Sequence, residues 1–466
     1  MRGFERRSGL REGIQLAGSA VKQPMDGATS PIEAELSRRI VRREARVAIF
    51  GLGYVGLPLA VAKARAGFQI IGIDQNPNRV ASISRGESYI ADVDSHDLRK
   101  LVARGAIAAS TDTDCLADVD VVVICVPTPL TKNLTPDLHC VESVTREIAL
   151  FLRPGQLVAL ESTTYPGTTE ELVLPILETS GLKGEYDFFL VHSPERVDPG
   201  NARFGTSNTR KIVGGVGPAS LRVGALFYGQ TIKTIVPVSS TQVAELAKVF
   251  ENTFRAVNIA LVNEMALLCD PLNLNVWEVL DAAFTKPFGI MPFYPGPGVG
   301  GHCVPVDPHY LEWKAKEVGF NTHFIALAGE INRMMPGFVR QKALRVLNTA
   351  GLPASGSKIL VLGAAFKRDV ADSRESPSLE VMRLLLRDGA EVSYHDPLVP
   401  CVATTDLTLT SVALTEHALS SSDLVIIATD HSAVDYDWVV EHSRHVLDTR
   451  NATKKVTRRR ERITLL

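Results

Sequence analysis

Arg46-Val47-Ala48-Ile49-Phe50-Gly51-Leu52-Gly53-Tyr54-Val55-Gly56-Leu57-Pro58-Leu59-Ala60-Val61-Ala62-Lys63 reads as a short apolar strand, a glycine turn and the start of a helix. Gly51 suits the tight turn, Gly53 admits a close ligand, and Gly56 lets helix and strand pack closely. A pyrophosphate would rest on the N-terminus of that helix. The next strand, Gln69-Ile70-Ile71-Gly72-Ile73, ends in Asp74, about 20 residues beyond the glycines, where a ribose 2′-hydroxyl needs an acceptor. The order of strand, glycines, helix, strand and acid predicts a Rossmann-type dinucleotide site. Gly51, Gly53, Tyr54, Val55, Gly56, Asp74 and Arg79 are its candidate cofactor residues. An acid at position 74 favours NAD over NADP, whose 2′-phosphate it would repel, and Arg79 softens that preference without reversing it.

Further strands extend this unit over residues 46–235: Asp120 to Val126 ending in Pro127-Thr128-Pro129, Gln156 to Leu160, and Asp187 to His192. Continuous apolar strands ending in Pro, Gly, Ser or Thr suit a parallel sheet covered on both faces. Ligands of such sheets lie beyond the carboxyl ends of the strands, so Thr128, Thr163 and Glu195 are expected at one crevice.

Residues 236–335 read as a helical region. From about 240 to 270, Val243, Leu246, Phe250, Phe254, Val257, Leu261, Met265 and Leu268 recur at steps of three and four, one apolar stripe on a helix. Thirty residues span ~45 Å, long enough to bridge domains and to pack against a second copy. Lys248 and Asn252 share a face off that stripe. Then comes Gly296-Pro297-Gly298-Val299-Gly300-Gly301-His302-Cys303-Val304-Pro305-Val306-Asp307. Its glycines allow close backbone approach to a ligand. A cysteine at a helix start is placed to be an exposed nucleophile, its thiolate favoured by the helix dipole.

Residues 336–466 repeat the first unit. Lys358 to Gly363 is again strand then glycine, with Ala364-Ala365-Phe366 in place of the other glycines. Gly389 precedes Asp396 as Gly67 precedes Asp74. Ala365 and Phe366 would crowd a pyrophosphate, while Lys367, Arg368 and Arg374 suit a different anionic ligand. The basic run from Lys454 to Arg462 is expected to be a mobile tail, and residues 1–45 an extension. The fold class predicted is therefore α/β, with two Rossmann-type parallel-sheet domains joined by a central helical region.

A net charge of −2 over 466 residues gives no electrostatic case for nucleic acid. No apolar run reaches the ~18 residues of a membrane span. The six cysteines form neither CxxC pairs nor zinc spacings, so no metal is expected and a reducing, cytoplasmic setting is.

Taken together, these residues resemble the UDP-sugar 6-dehydrogenase family over roughly 46 to 455. The resemblance rests on the glycine turn, Cys125-Val126-Pro127-Thr128-Pro129, Glu161-Ser162-Thr163-Thr164-Tyr165-Pro166-Gly167, Ser193-Pro194-Glu195-Arg196, Ala244-Glu245-Leu246-Ala247-Lys248, the cysteine loop and Phe366-Lys367-Arg368-Asp369. It implies oxidation of a sugar C6 alcohol to a carboxylate with two NAD⁺, in surface-polysaccharide precursor synthesis, by a homodimer or higher homo-oligomer. Cys303 would carry the thiohemiacetal and thioester, and Lys248 and Asn252 would stabilise the oxyanions. Asp307 and Thr163 would position water and protons, and Glu195 would be the hydrolytic base. Thr128 and Thr163 would also touch the cofactor. Arg196, Tyr294, Gly300, Lys367 and Arg450, with Glu195, Lys248 and Asn252, would contact the UDP-sugar. His302 and Val306-Asp307 resemble the branch acting on UDP-N-acetylhexosamines, and within it Met291 to Gly298 and His309 to Lys314 look more like UDP-N-acetylglucosamine than UDP-N-acetylmannosamine enzymes. UDP-N-acetylmannosamine and UDP-glucose stay open as alternatives. So do a two-electron enzyme related to β-hydroxyacid dehydrogenases and a nucleotide-sugar binder without turnover.

Overall fold

The computed structural model describes residues 29–90, 92–197, 205–301 and 303–466; most of the N-terminal extension and His302 lie outside them. The first sheet begins with β1 (Arg46–Phe50), followed by α2 (Gly56–Arg65), β2 (Gln69–Ile73), α3 (Pro77–Ser84), α4 (Ser95–Ala103) and β3 (Ile107–Ser110). It continues through β4 (Val121–Ile124), α5 (His139–Phe151), β5 (Leu157–Leu160), α6 (Leu174–Glu178), β6 (Phe189–His192), β7 (Lys211–Gly215), α7 (Pro218–Gly229) and β8 (Ile235–Val238). The strand order is β3-β2-β1-β4-β5-β6-β7-β8. All neighbours are parallel except β6 and β7, which run antiparallel. Along β1, Val47 and Ile49 enter one core and Ala48 and Phe50 the other. Burial on both faces is why the strand reads as an unbroken apolar run.

The described end of the N-terminal extension packs against this body. Helix α1 (Pro31–Arg42) packs on α7, and Arg222 holds the buried Glu33 at 2.7 Å.

Helix α8 (Thr241–Cys269) starts at Ser240, whose hydroxyl accepts the Val243 N–H. Its buried face is Ala244, Glu245, Val249, Asn252, Ala256 and Ala260. Six of the eight stripe residues, Phe250 and Leu261 among them, are exposed; Val257 and Met265 alone pack inward. After α9 (Val276–Ala283) and α10 (Asp307–Glu317), α11 (His323–Thr349) runs along α8. Helix α11 runs on past residue 335, and the central helices share a core with the last domain around Met335, Phe338 and Val361.

The second sheet comprises β9 (Lys358–Leu362), β10 (Glu391–His395), β13 (Leu424–Ile427), β14 (Val446–Asp448) and β15 (Ile463–Leu465), ordered β10-β9-β13-β14-β15 and parallel throughout. Between β9 and β10 lies α12 (Pro377–Arg387). A small hairpin, β11 (Cys401–Ala403) with β12 (Thr408–Thr410), and two helices, α13 (Glu416–Ser420) and α14 (Tyr436–His442), complete the domain. The expected mobile tail is instead docked. β15 adds an edge strand to β14 and buries Leu466, and Arg462 caps the Glu441 and Ser443 carbonyls.

Candidate active site

One crevice of ≈ 1930 Å³ opens beyond the carboxyl ends of the first sheet, bounded by all three parts of the chain. Gly51, Gly53, Tyr54, Val55, Asp74, Arg79, Thr128, Thr163, Glu195, Lys248, Cys303 and Asp307 all line it.

The three glycines have separate tasks. Gly51 has φ +83°, and a Cβ there would sit 2.4 Å from the Cys125 carbonyl oxygen; one on Gly56 would sit 1.9 Å from the Gly51 oxygen. A Cβ on Gly53 would meet no atom within 4 Å. The space is beside the start of α2, which no side chain caps. A helix start with open space before it attracts a phosphate. Asp74 accepts the Leu52 and Asn76 N–H groups, each at 2.9 Å, and Arg79 at 3.3 Å. One carboxylate lone pair is left over from these three bonds for a ribose hydroxyl. These features fit NAD⁺, which when bound accepts hydride from the carbon being oxidised.

Cys303 is exposed to the crevice one turn before α10, and its carbonyl accepts the Asp307 N–H at 2.9 Å. The expected resting thiolate is not what this setting favours. Desolvation and then the Asp307 charge push the thiol up, against Lys248, Arg255 and Arg374. Asp307 is itself buried, and desolvation pushes its carboxyl up to about 6 against Lys248, Asn252 and Arg255. Asn252 Nδ2 donates to Asp307 Oδ2 at 2.5 Å. It reaches the crevice through that carboxylate and is not part of its wall. Thr128 Oγ1 donates to the Thr163 carbonyl at 2.8 Å, tying the ends of β4 and β5.

Four expected substrate contacts are engaged elsewhere. Arg196 turns away to Glu251 on α8 and to the Arg210 carbonyl. Tyr294 stacks on Trp277 at 5.9 Å and donates to Asp281 at 2.6 Å. Gly300 is approached by protein: a Cβ there would meet Phe366 Cβ and the Glu375 carbonyl, both at 2.7 Å. Arg450 donates to the Ala428 carbonyl, and its guanidinium lies 2.6 Å from where a Gly296 Cβ would be. The loop's glycines therefore make room for the last domain. Lys367 also lies outside the crevice wall. Of Lys367, Arg368 and Arg374, the last enters the crevice, 5.4 Å over the Tyr54 ring, while Arg368 pairs with Asp430. The amides of Ala364 and Ala365 are taken by Asp396 at 2.8 and 2.9 Å.

Two buried carboxylates had no role in the sequence reading. Glu161 also lines the crevice and pairs with Lys211. Glu245, on α8 a turn before Lys248, accepts the Gly167 and Thr169 N–H groups at 2.6 and 2.8 Å. It pins the turn after Thr163 to the helix that carries Lys248.

The UDP-glucose/GDP-mannose dehydrogenase family models match in order: the NAD binding domain at 45–232, the central domain at 242–334 and the UDP binding domain at 360–455. The chain belongs to this family. It is an NAD-dependent UDP-sugar dehydrogenase, and its two sheets are the NAD-binding and UDP-binding domains. The UDP-N-acetyl-D-mannosamine dehydrogenase of Pyrococcus horikoshii is 34% identical over 88% of this chain and 96% of its own. The UDP-N-acetyl-D-glucosamine 6-dehydrogenase of Pseudomonas aeruginosa is 34% identical over 84% and 91%. Among solved structures, the Pyrococcus horikoshii UDP-D-ManNAc dehydrogenase superposes with TM-score 0.79 at 33% identity, over 87% of this chain and 96% of that one. Among the described residues no helix is long and apolar enough to cross a membrane, and no group of side chains could hold a metal.

Proposed function

We propose that this UDP-sugar dehydrogenase oxidises the C6 hydroxyl of UDP-N-acetylglucosamine twice, through a covalent adduct on Cys303. The observation that carries this is Cys303 facing the same crevice as the Gly51–Gly56 turn, with Lys248, Asp307 and Glu195 in the wall. A thiol that captures the aldehyde keeps it from escaping between the two oxidations and divides the hard step. Asp307, poised near neutrality, can take the thiol proton as sulfur bonds to C6. Lys248 can stabilise the alkoxide of each tetrahedral intermediate, as can Asn252 through a donor it shares with Asp307. Glu195 can draw the proton from the water that hydrolyses the thioester.

The choice of sugar is supported by Met291 to Gly298 and His309 to Lys314. Relatives named for the C2 epimers are equally similar, so they do not favour either sugar. The exposed apolar stripe of α8 supports a homodimer, because a patch of that kind marks an interface. A spectrophotometric panel of UDP-N-acetylglucosamine, UDP-N-acetylmannosamine and UDP-glucose with NAD⁺ tests the reading. The first sugar should give the highest kcat/KM and two NADH per uronate. One NADH per sugar with an aldehyde product, or preference for another sugar, overturns it.

A further inference from the structure

At the crevice wall, three charged groups meet from three neighbouring strands. Lys211 opens β7 and is 3% exposed. Its Nζ lies 2.8 Å from Glu161 Oε2, at the end of β5, and 3.2 Å from Glu195 Oε2, just beyond β6. Glu195 Oε1 is already engaged, accepting the N–H groups of Arg196 at 2.7 Å and Val197 at 2.9 Å. Its orientation thus rests on two backbone donors at one oxygen and the Lys211 ammonium at the other.

We infer that Lys211 is a positioning residue for Glu195 in the hydrolysis of the Cys303 thioester. The inference rests on the reading of Glu195 as the hydrolytic base. In that step water forms a C–O bond to C6 and the C–S bond breaks. Sulfur leaves as the thiolate, and the water's proton passes to Glu195. The base must be ionised beforehand and must keep one lone pair toward the crevice.

The surroundings leave Lys211 as the cation that can do this. Desolvation holds Lys63 of α2 well below its ordinary range; its Nζ donates to the Phe227 carbonyl. His192 of β6 is buried and pushed down to about 3 by desolvation and by Lys211, so it is neutral. Tyr228 of α7 lies with its ring 5.1 Å from Lys211, and burial raises both its phenol and the Cys125 thiol at the end of β4. Lys248 of α8 acts on Glu195 across the crevice, as a weaker influence than Lys211. The two carboxylates are pushed apart: burial dominates at Glu161 and raises it, whereas at Glu195 Lys211 and the backbone N–H outweigh burial and lower it. Paired carboxylates driven in opposite directions are how one site holds an ionised base beside a protonatable neighbour.

Full-length Lys211→Met tests this. Removing a buried cation from two carboxylates can prevent folding, so Lys211→Met/Glu161→Gln, compared with Glu161→Gln, is made alongside. Stopped-flow NADH formation, intact-protein mass spectrometry and the pH dependence of kcat are measured with the preferred UDP-sugar. The Met variants should keep the two-NADH burst, accumulate acyl-Cys303 and lose ~10²-fold in kcat, the scale of one acid–base contribution. The ascending limb of kcat should move up by about one pH unit or more as Glu195 loses its cation. Lys211→Arg should restore part of both. An unmoved limb with no acyl-enzyme refutes the role of Lys211, provided Glu195→Gln traps the acyl-enzyme. If Glu195→Gln itself hydrolyses at the native rate, the reading of Glu195 fails instead.

Discussion

Asn252 of α8 donates to Asp307 of α10 at 2.5 Å, with both side chains buried. The bond joins the long helix to the first turn of the helix that follows the nucleophile. It favours the ionised carboxylate against desolvation, which sets Asp307 near 6. Asn252→Leu should therefore raise the acidic limb of kcat/KM and lower the plateau by ~10²–10³, the usual cost of one oxyanion donor. A pH–rate series from 5 to 9 reads both effects. An unmoved limb would separate Asp307 from catalysis.

The same shift predicts a stability cost. A carboxyl whose folded pKa is raised above its unfolded value stabilises fully below the unfolded value, and that contribution is lost as pH rises through the folded one. For Asp307 the loss falls between the ordinary aspartate range and about 6. Asp307→Asn should then be more stable than the native chain above pH 7 and lose its turnover. Thermal melts at pH 5 and 8 measure this, with the difference growing at pH 8.

Cys303 should alkylate as a thiol of raised pKa, since desolvation and Asp307 outweigh the nearby cations. The pH of half-maximal iodoacetamide reaction should lie above that of a free cysteine. Asp307→Asn should lower it and Lys248→Met should raise it. Opposite movements would show that the charges act through some other group.

The glycines separate binding from folding. Gly53→Ala adds a Cβ to open space, so stability should change by no more than ~0.5 kcal/mol while NAD⁺ binding weakens. Gly56→Ala drives a Cβ onto the Gly51 carbonyl, and Gly301→Ala, at φ +82°, drives one to 2.9 Å from the Phe366 ring. Each should cost ~1–3 kcal/mol or more. Calorimetric melts with NAD⁺ titration distinguish the two classes.

Arg374 links the last domain to the cofactor turn through the Tyr54 ring and acts on Cys303. Arg374→Ala should raise the cysteine's apparent pKa and the KM for NAD⁺ together. A change in only one of them would mean that the arginine serves a single partner.

The sequence by itself determined what depends on a few consecutive residues. The β1–Gly51–α2 unit, the acid at the end of β2 and the duplicated strand-glycine unit at Lys358 are local, because backbone sterics and hydrogen bonding act over a turn or two. Position 303 was likewise legible, since a cysteine between a glycine run and a helix start is a local pattern.

Tertiary packing alone decided where the side chains point. The glycines of 296–301 looked like room for a ligand and are room for Phe366, Glu375 and Arg450, brought from 65 or more residues away. Arg196 pairs with Glu251 and Tyr294 with Trp277, contacts that only packing brings together. The Asp307 carboxylate that raises the thiol does so because burial strips its water, a quantity absent from spacing. Lys211, Glu161 and Glu195 meet only because β5 and β6 end at the height where the antiparallel β7 begins, and long-range register is what turns three scattered charges into one buried cluster.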